Sequence, residues 1–191
     1  IRSVECASKY NMPIRVKSSF TNDEGTLING EENMEDALIS GVTYTSDDAK
    51  IVIRKVPDIP GIAAKILGPI SDGGIEVDVI VQNVSEDKTT DFTFTVKRDR
   101  AEDAKKILER LSHDMGGGEV ELNADISKVS VVGVGMKSHA GVATKMFSTL
   151  ADKSINIDMI STSEIKISVI VNESSAKDAV TALHDAFELE N

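Results

Sequence analysis

The chain has 191 residues, 40 % apolar and 28 % charged, with a formal charge of −11, a single cysteine and no tryptophan. That charge opposes a phosphate-backbone partner, which would need clustered Lys and Arg, and so argues against nucleic acid. One cysteine, Cys6, rules out an internal disulfide framework and fits a reducing, cytoplasmic setting, and no apolar run approaches the roughly 20 residues that cross a bilayer.

Taken in order, Ser3–Tyr10 reads as the last turns of a helix, broken by Asn11 and Pro13 before a short strand at Ile14–Val16 with no partner nearby. Ser18–Asn33 is rich in Ser, Thr, Asn, Asp, Glu and Gly and reads as a linker, with one extended piece at Thr26–Ile28. Residues 1–33 therefore look like the tail of an upstream domain, and a first residue of Ile fits a piece of a longer protein. β-Branched residues return at Leu38–Thr45, which predicts a strand within residues 34–48.

Residues 49–125 hold a first module. Ala49–Val56 is a predicted strand, and Pro57–Gly61 a loop, because its two prolines remove donors and fix φ. Ile62, Ala63, Ile66, Leu67 and Ile70 fall at helical spacing, with Gly68-Pro69 expected to distort the end and Asp72-Gly73-Gly74 to stop it. Strands follow at Ile75–Gln82 and Phe92–Val96, then a helix at Ala101–Leu111 closed by Gly116-Gly117-Gly118, then a short strand at Glu119–Leu122. The order is β-α-β-β-α-β.

Residues 126–191 repeat that order: strand Lys128–Gly135, helix with Val142, Met146 and Leu150 buried, strands Ile155–Ile160 and Ile165–Val171, helix Ser174–Phe187. Gly61 and Gly141 are 80 apart, as are Asp78 and Asp158 (141 − 61 = 158 − 78 = 80), whereas Phe92 and Ile167 are 75 apart. The second copy runs out of chain before a fourth strand. Leu38–Thr45 is the natural donor, which would make the first module an insertion within the second.

No catalytic residue is predicted. His113, His139 and His184 lie far apart, with no metal-ligand spacing, and His113 and His184 are expected at exposed helical positions. Gly133–Ser138 fails as a phosphate loop, since Met136 precedes Lys137 and the glycine spacing is wrong. The glycines at the two helix entrances carry more: free N–H groups and a partial positive charge suit a carboxylate, and glycine lets a ligand reach the backbone. Asp58 would hold an ammonium group, with Gln82, Asn83 and Thr90 near the opposite strand end. Asp78 and Asp158 are expected on the sheet face away from the helices, facing solvent or another subunit.

These residues resemble a known family. The repeated module with glycine at its first loop–helix junction resembles the ACT domain. Ile155–Ile165 with Gly135–His139 before it, and Ile80–Ser85 followed by Thr89–Phe94, resemble the regulatory region of aspartate kinases, over essentially Met34–Phe187. The resemblance implies an α+β fold of two ferredoxin-like βαββαβ ACT modules, the first inserted into the second. It implies a non-catalytic chain that senses lysine and/or threonine and feedback-inhibits a kinase domain lying upstream. That absent domain would use ATP and Mg²⁺ to phosphorylate aspartate; no cofactor or metal is implied on this chain.

Carried over by position, a first effector site comprises Asp58, Pro60, Gly61, Ile62, Ala63, Ile75, Val77, Gln82 and Asn83. A second comprises Met136, Ser138, His139, Gly141, Val142, Ser161, Thr162, Ser163 and Glu164, with Ala140 where the family often has proline. The resemblance further implies a homodimer through the ACT modules, sheets side by side, and contact with the kinase catalytic domain. The alternative is an ACT-type amino-acid sensor serving a different metabolic enzyme.

Overall fold

The computed structural model describes residues 2–28, 39–84, 88–115, 118–133 and 141–189. Two compact units are present, Ile1–Ala37 and Leu38–Asn191. In the smaller, α1 (Arg2–Lys9) precedes β1 (Ile14–Val16) and β2 (Thr26–Ile28), which pair antiparallel with Arg15 opposite Leu27. The strand expected to stand alone thus has a mate within the expected linker. Three-residue strands, one half-buried only at Ile14 and the other wholly exposed, are too short to leave a periodic pattern to read.

The larger unit opens with β3 (Gly41–Thr45). β4 (Asp48–Pro57), α2 (Ile62–Asp72), β5 (Val77–Val84), β6 (Thr89–Lys97), α3 (Ala101–Met115) and β7 (Val120–Asn123) follow. Then come β8 (Ile126–Val132), α4 (Val142–Asp152), β9 (Met159–Thr162), β10 (Lys166–Asn172) and α5 (Ala176–Ala186). One sheet has the order β5-β6-β4-β7 and the other β3-β8-β10-β9. β3 lies antiparallel to β8, with Val42 opposite Val131, so the fourth place of the second sheet is filled from ahead of the first sheet in the chain.

Alternation along the strands sends one face of each sheet to its helices. Ile51, Ile53, Phe92, Phe94 and Val96 meet Ile62, Ile66, Ile70, Ala104 and Leu108 in one core. Val129, Val131, Ile167, Val169 and Val171 meet Val142, Met146, Leu150, Ala179 and Leu183 in the other. Each fully buried Ile, Leu or Phe contributes roughly 1.5–3 kcal/mol. Phe92 and Phe94 add an edge-on contact, with ring centroids 6.1 Å apart.

Several local expectations are corrected. Pro57 ends β4 opposite Thr89, a strand terminus being a place where a missing N–H costs little. Pro69 sits inside α2, where its position near the C-terminus removes a single hydrogen bond, and the helix stops at Asp72 with Gly73 as its cap, as Asp72-Gly73-Gly74 led one to expect. β9 begins at Met159 rather than Ile155: the Ile155 N–H bonds Leu150 O at 2.9 Å, and Ile157 packs into the core before pairing starts. β5 likewise begins at Val77, after the Ile75 N–H has bonded Ile70 O at 3.1 Å. Gly116 and Gly117 fall outside the described residues.

The faces turned away from the helices meet each other. Val79, Ile126, Met159 and Ile170 form a small apolar cluster there, edged by Val81. Charges surround it. Lys50 Nζ lies 2.6 Å from Asp158 Oδ2, while Lys128 pairs with Asp78 and lies 2.9 Å from Asp48 Oδ2. Asp48 also accepts from Lys97 Nζ at 2.9 Å, and Arg98 Nη2 donates to Glu173 Oε2 at 2.9 Å. Burial alone would raise the Asp48 carboxyl, but hydrogen bonds from Lys97 and Lys128 outweigh it and hold it below its ordinary value. Burial likewise pulls on Lys128, and Asp78 and Asp48 reverse it, holding the ammonium above its ordinary value. Asp78 and Asp158 are indeed away from the helices, and what faces them is the other half of their own chain.

Candidate functional site

β4, β5 and β6 converge at one end of the first sheet. Thr90 stands opposite both Val56 and Val84, fully buried, and its hydroxyl donates to Asn83 O. The Asp58 N–H bonds Lys88 O at 3.0 Å, which ties the loop after β4 to the hairpin between β5 and β6. Lys88 was not among the expected site residues; its positive φ of 61° marks a turn that a lysine in a polar stretch does not advertise.

At this same end α2 begins. Its last turn hands over to Ile75, and β5 starts opposite Val96 at the far end of the sheet, so the first turn lies with Asp58. Gly61 precedes it at φ 91° and ψ −4°, and no side chain caps the helix. A Cβ on Gly61 would meet nothing within 4 Å, so the backbone here is open to approach. Ile62 is buried as a core residue; Ala63 is half-buried, and Pro60, Gln82 and Asn83 are exposed.

Ile75 and Val77 are elsewhere. They line a cleft of about 650 Å³ with Leu67, Ser71, Gly74 and Glu76, at the opposite end of β5. From Val77 to Asn83 the strand advances roughly 20 Å at its ordinary rise. The nine expected residues therefore form two groups, one at each end of an edge strand, which a single chain does not bring together.

In the second sheet Gly141 repeats the geometry of Gly61, at φ 104° and ψ −20°, again with no side-chain cap and nothing within 4 Å of a Cβ. Val142 is buried. Ser161 and Thr162 lie on β9, and Ser163 turns the chain into β10, its N–H bonding Lys166 O at 2.8 Å and its hydroxyl accepting from the Lys166 N–H at 3.2 Å. The Gly133 N–H bonds Ile165 O at 2.9 Å, which places the end of β8 beside this turn. Glu164 is exposed. Met136, Ser138 and His139 lie outside the described residues, as does Ala140.

Cys6 is exposed, and no group of three His, Cys, Asp or Glu side chains among the described residues could hold a metal ion. His113 is exposed as expected, whereas His184 is half-buried on α5. Among the described residues no helix is long and apolar enough to cross a membrane.

Comparison with known proteins adds identity to geometry. The ACT domain family matches residues 51–113, and a second ACT domain family matches 129–187. An aspartate kinase of Pseudomonas fluorescens is 58 % identical over 192 residues, covering 100 % of this chain and 46 % of that protein. This chain thus spans about half the length of the curated relatives it matches. The crystal structure of aspartokinase alpha and beta subunits is 46 % identical, with a TM-score of 0.75, covering 79 % of this chain and 99 % of that one. The ligand-free regulatory subunit of aspartate kinase from Thermus thermophilus is 43 % identical, with a TM-score of 0.75, covering 78 % of this chain and 99 % of that one.

Proposed function

Because this chain belongs to the aspartate kinase family, as its regulatory region of two ACT domains, we propose that it binds lysine and/or threonine and feedback-inhibits an ATP-dependent, cytoplasmic aspartate kinase. The observation that carries this reading is the division of the first site between the two ends of β5. An edge strand has one row of backbone groups without a ladder partner, and pairing two copies antiparallel about a twofold completes both.

Such pairing sets one copy's Val77 end beside the partner's Gln82–Asn83 end. The midpoint of positions 77 and 83 is 80, and Ile80 is 49 % exposed there, an apolar side chain suited to a twofold contact. Each seam would then offer Gly61 and the first turn of α2 for a carboxylate and Asp58 for an ammonium group, with Ile75 and Val77 of the partner closing the pocket. Ligand at the seam favours one dimer arrangement over another, and inhibition needs a coupling free energy of typically about 1–3 kcal/mol.

Calorimetric titration of the full-length protein with L-lysine, L-threonine and the two together tests this. We expect saturable binding of at least one, with a stoichiometry set by the dimer. No heat from either, alone or combined, overturns the sensing role.

A further inference from the structure

β4 contains one residue more than β6 needs. Ile53 pairs with Phe92 and Val56 with Thr90, so 53 + 92 = 145 becomes 56 + 90 = 146 across a bulge. Ile53 and Val56 are both fully buried in the helix-side core, and Arg54 and Lys55 both lie exposed between them. Lys55 holds φ at 51°, a left-handed conformation that a β-branched or long side chain adopts only when its surroundings impose it.

The surroundings do impose it. The Asp91 carboxylate accepts the Lys55 N–H at 2.9 Å through Oδ1 and Arg54 Nη1 at 2.7 Å through Oδ2. Arg54 turns its other edge to Glu121, with Nε to Oε1 at 2.8 Å and Nη2 to Oε2 at 3.0 Å. Behind it the Gly118 N–H bonds Arg54 O at 2.9 Å, and a Cβ on Gly118 would stand only 2.5 Å from that oxygen. The Lys55 N–H and Arg54 hold the Asp91 carboxyl below its ordinary value. A one-residue bulge inverts which face every later residue presents. Here it returns Val56 to the core and decides from which side of the sheet the chain leaves toward Asp58 and Gly61.

Among the described residues the second module shows no such device: its β8–β10 register is unbroken from Ile126 to Val132. Lys50 lies opposite Thr95 and Lys128 opposite Ile170, so β8 follows β4 at an offset of 78. Arg54, Asp91 and Glu121 then correspond to Val132, Lys166 and Thr43 (54 + 78, 91 + 75, 121 − 78).

We propose that Arg54 and Asp91 are positioning residues of the first effector site: they fix the bulge that aims the Asp58–Gly61 loop at the amino-acid ligand. This rests on the sensing role proposed above, and one readout is chosen to be independent of it. In the full-length protein without ligand, hydrogen exchange of Asp91→Asn is expected to speed about tenfold or more at the amides of residues 55–62, with the interior of β6 unchanged. Asp91→Asn keeps one oxygen for two donors, so either Lys55 or Arg54 loses its acceptor. Glu121→Gln neutralises the other partner of Arg54, leaves Asp91 intact and should change those amides less than about threefold. Asp91→Glu, milder and charge-preserving, should move them in the same direction.

Both Asn and Gln variants remove one ion pair from Arg54, so they should shift the melting temperature alike. In titrations with L-lysine and L-threonine, however, only Asp91→Asn should weaken a ligand, by about tenfold. Unchanged exchange over 55–62 in Asp91→Asn overturns the proposal, as does equal weakening of ligand by Asp91→Asn and Glu121→Gln. Should the unmodified protein bind neither amino acid, the sensing role falls while the exchange data still decide whether Asp91 holds the loop.

Discussion

Lys50 and Lys128 stand at equivalent places in the two sheets, and each reaches across to an aspartate of the other. Their partners, Asp158 and Asp78, are equivalent too, 80 residues apart. Arg98 and Glu173, which bond directly, differ by the same 75 residues that relate β6 to β10. Reciprocal pairs and a contact between equivalent positions describe an approximate twofold axis within one chain. The symmetry breaks at Asp48, whose counterpart is Ile126 (48 + 78), so Lys128 has two carboxylates and Lys50 one.

That asymmetry predicts unequal costs. Lys128→Met removes a cation from beside Asp48, whose side chain is 3 % exposed, and should destabilise the protein by about 2–3 kcal/mol. Lys50→Met breaks a pair whose aspartate is 31 % exposed and should cost about 1 kcal/mol or less. Denaturant midpoints of the two variants, at constant slope, give the comparison. Equal losses would mean that Lys97 alone satisfies Asp48.

Acid should loosen the fold through identifiable groups. Asp48, Asp91 and Glu121 are held below ordinary values of 3.8, 3.8 and 4.5. For a depressed carboxyl the unfolded chain binds more protons, so the stabilisation is complete above the unfolded value and is lost as pH falls through the folded one. Unfolding free energy should therefore drop below about pH 4, with a shallower drop in Asp48→Asn. Lys128 works in the opposite sense: its raised value gives stabilisation that is full below its ordinary 10.5 and lost at higher pH. Urea titrations from acid to alkaline pH test both arms.

Ile80 tests the proposed seam. Ile80→Glu should leave the monomer fold intact, because the side chain is 49 % exposed, yet place two like charges at the proposed twofold and shift the proposed dimer toward monomer. Amino-acid binding should weaken with it. Sedimentation velocity across a concentration series checks the first point and calorimetry the second. A dimer indifferent to Ile80→Glu would place its contact on another edge.

Gly61 and Gly141 separate conformational from steric demands. Alanine at either meets open space but must hold φ at 91° or 104°, so each substitution should cost about 1 kcal/mol. Gly118→Ala meets Arg54 O at 2.5 Å and should cost more, since backbone must move. Thermal melts of the three variants rank these effects.

The large features of the fold were legible because they rest on periodicity. Apolar spacing in α2 and α4 and the recurrence of Gly61 at Gly141 both follow from patterns many residues long. The bulge was harder, although a trace exists: Ile51-Val52-Ile53-Arg54-Lys55-Val56 sets two consecutive cations between two core residues, which a strand of period two does not allow. Lys50 and Lys128 read as ordinary outward-facing lysines, since nothing local says that another sheet will cover them. The division of Ile75 and Val77 from Asp58 and Gly61 was invisible for a similar reason: a strand's two ends look adjacent in sequence until its pairing partners are known.

β3 has a mechanical consequence. Gly41–Thr45 is a strand of the second sheet, and only after Thr45 does the chain turn, Ser46 Oγ lying 2.6 Å from Ser127 Oγ, to enter the first. A pull on Gly41 would therefore load β8 in shear, along the β3–β8 ladder from Val132 to Lys128. The first sheet feels it second-hand, through the crossed lysines and the Ser46 corner. The module that we propose senses the amino acid is thus not the one that holds β3. Coupling between the two runs through the crossed lysines, the Arg98–Glu173 pair, the shared apolar cluster and the short connections at Ser46 and Asp125.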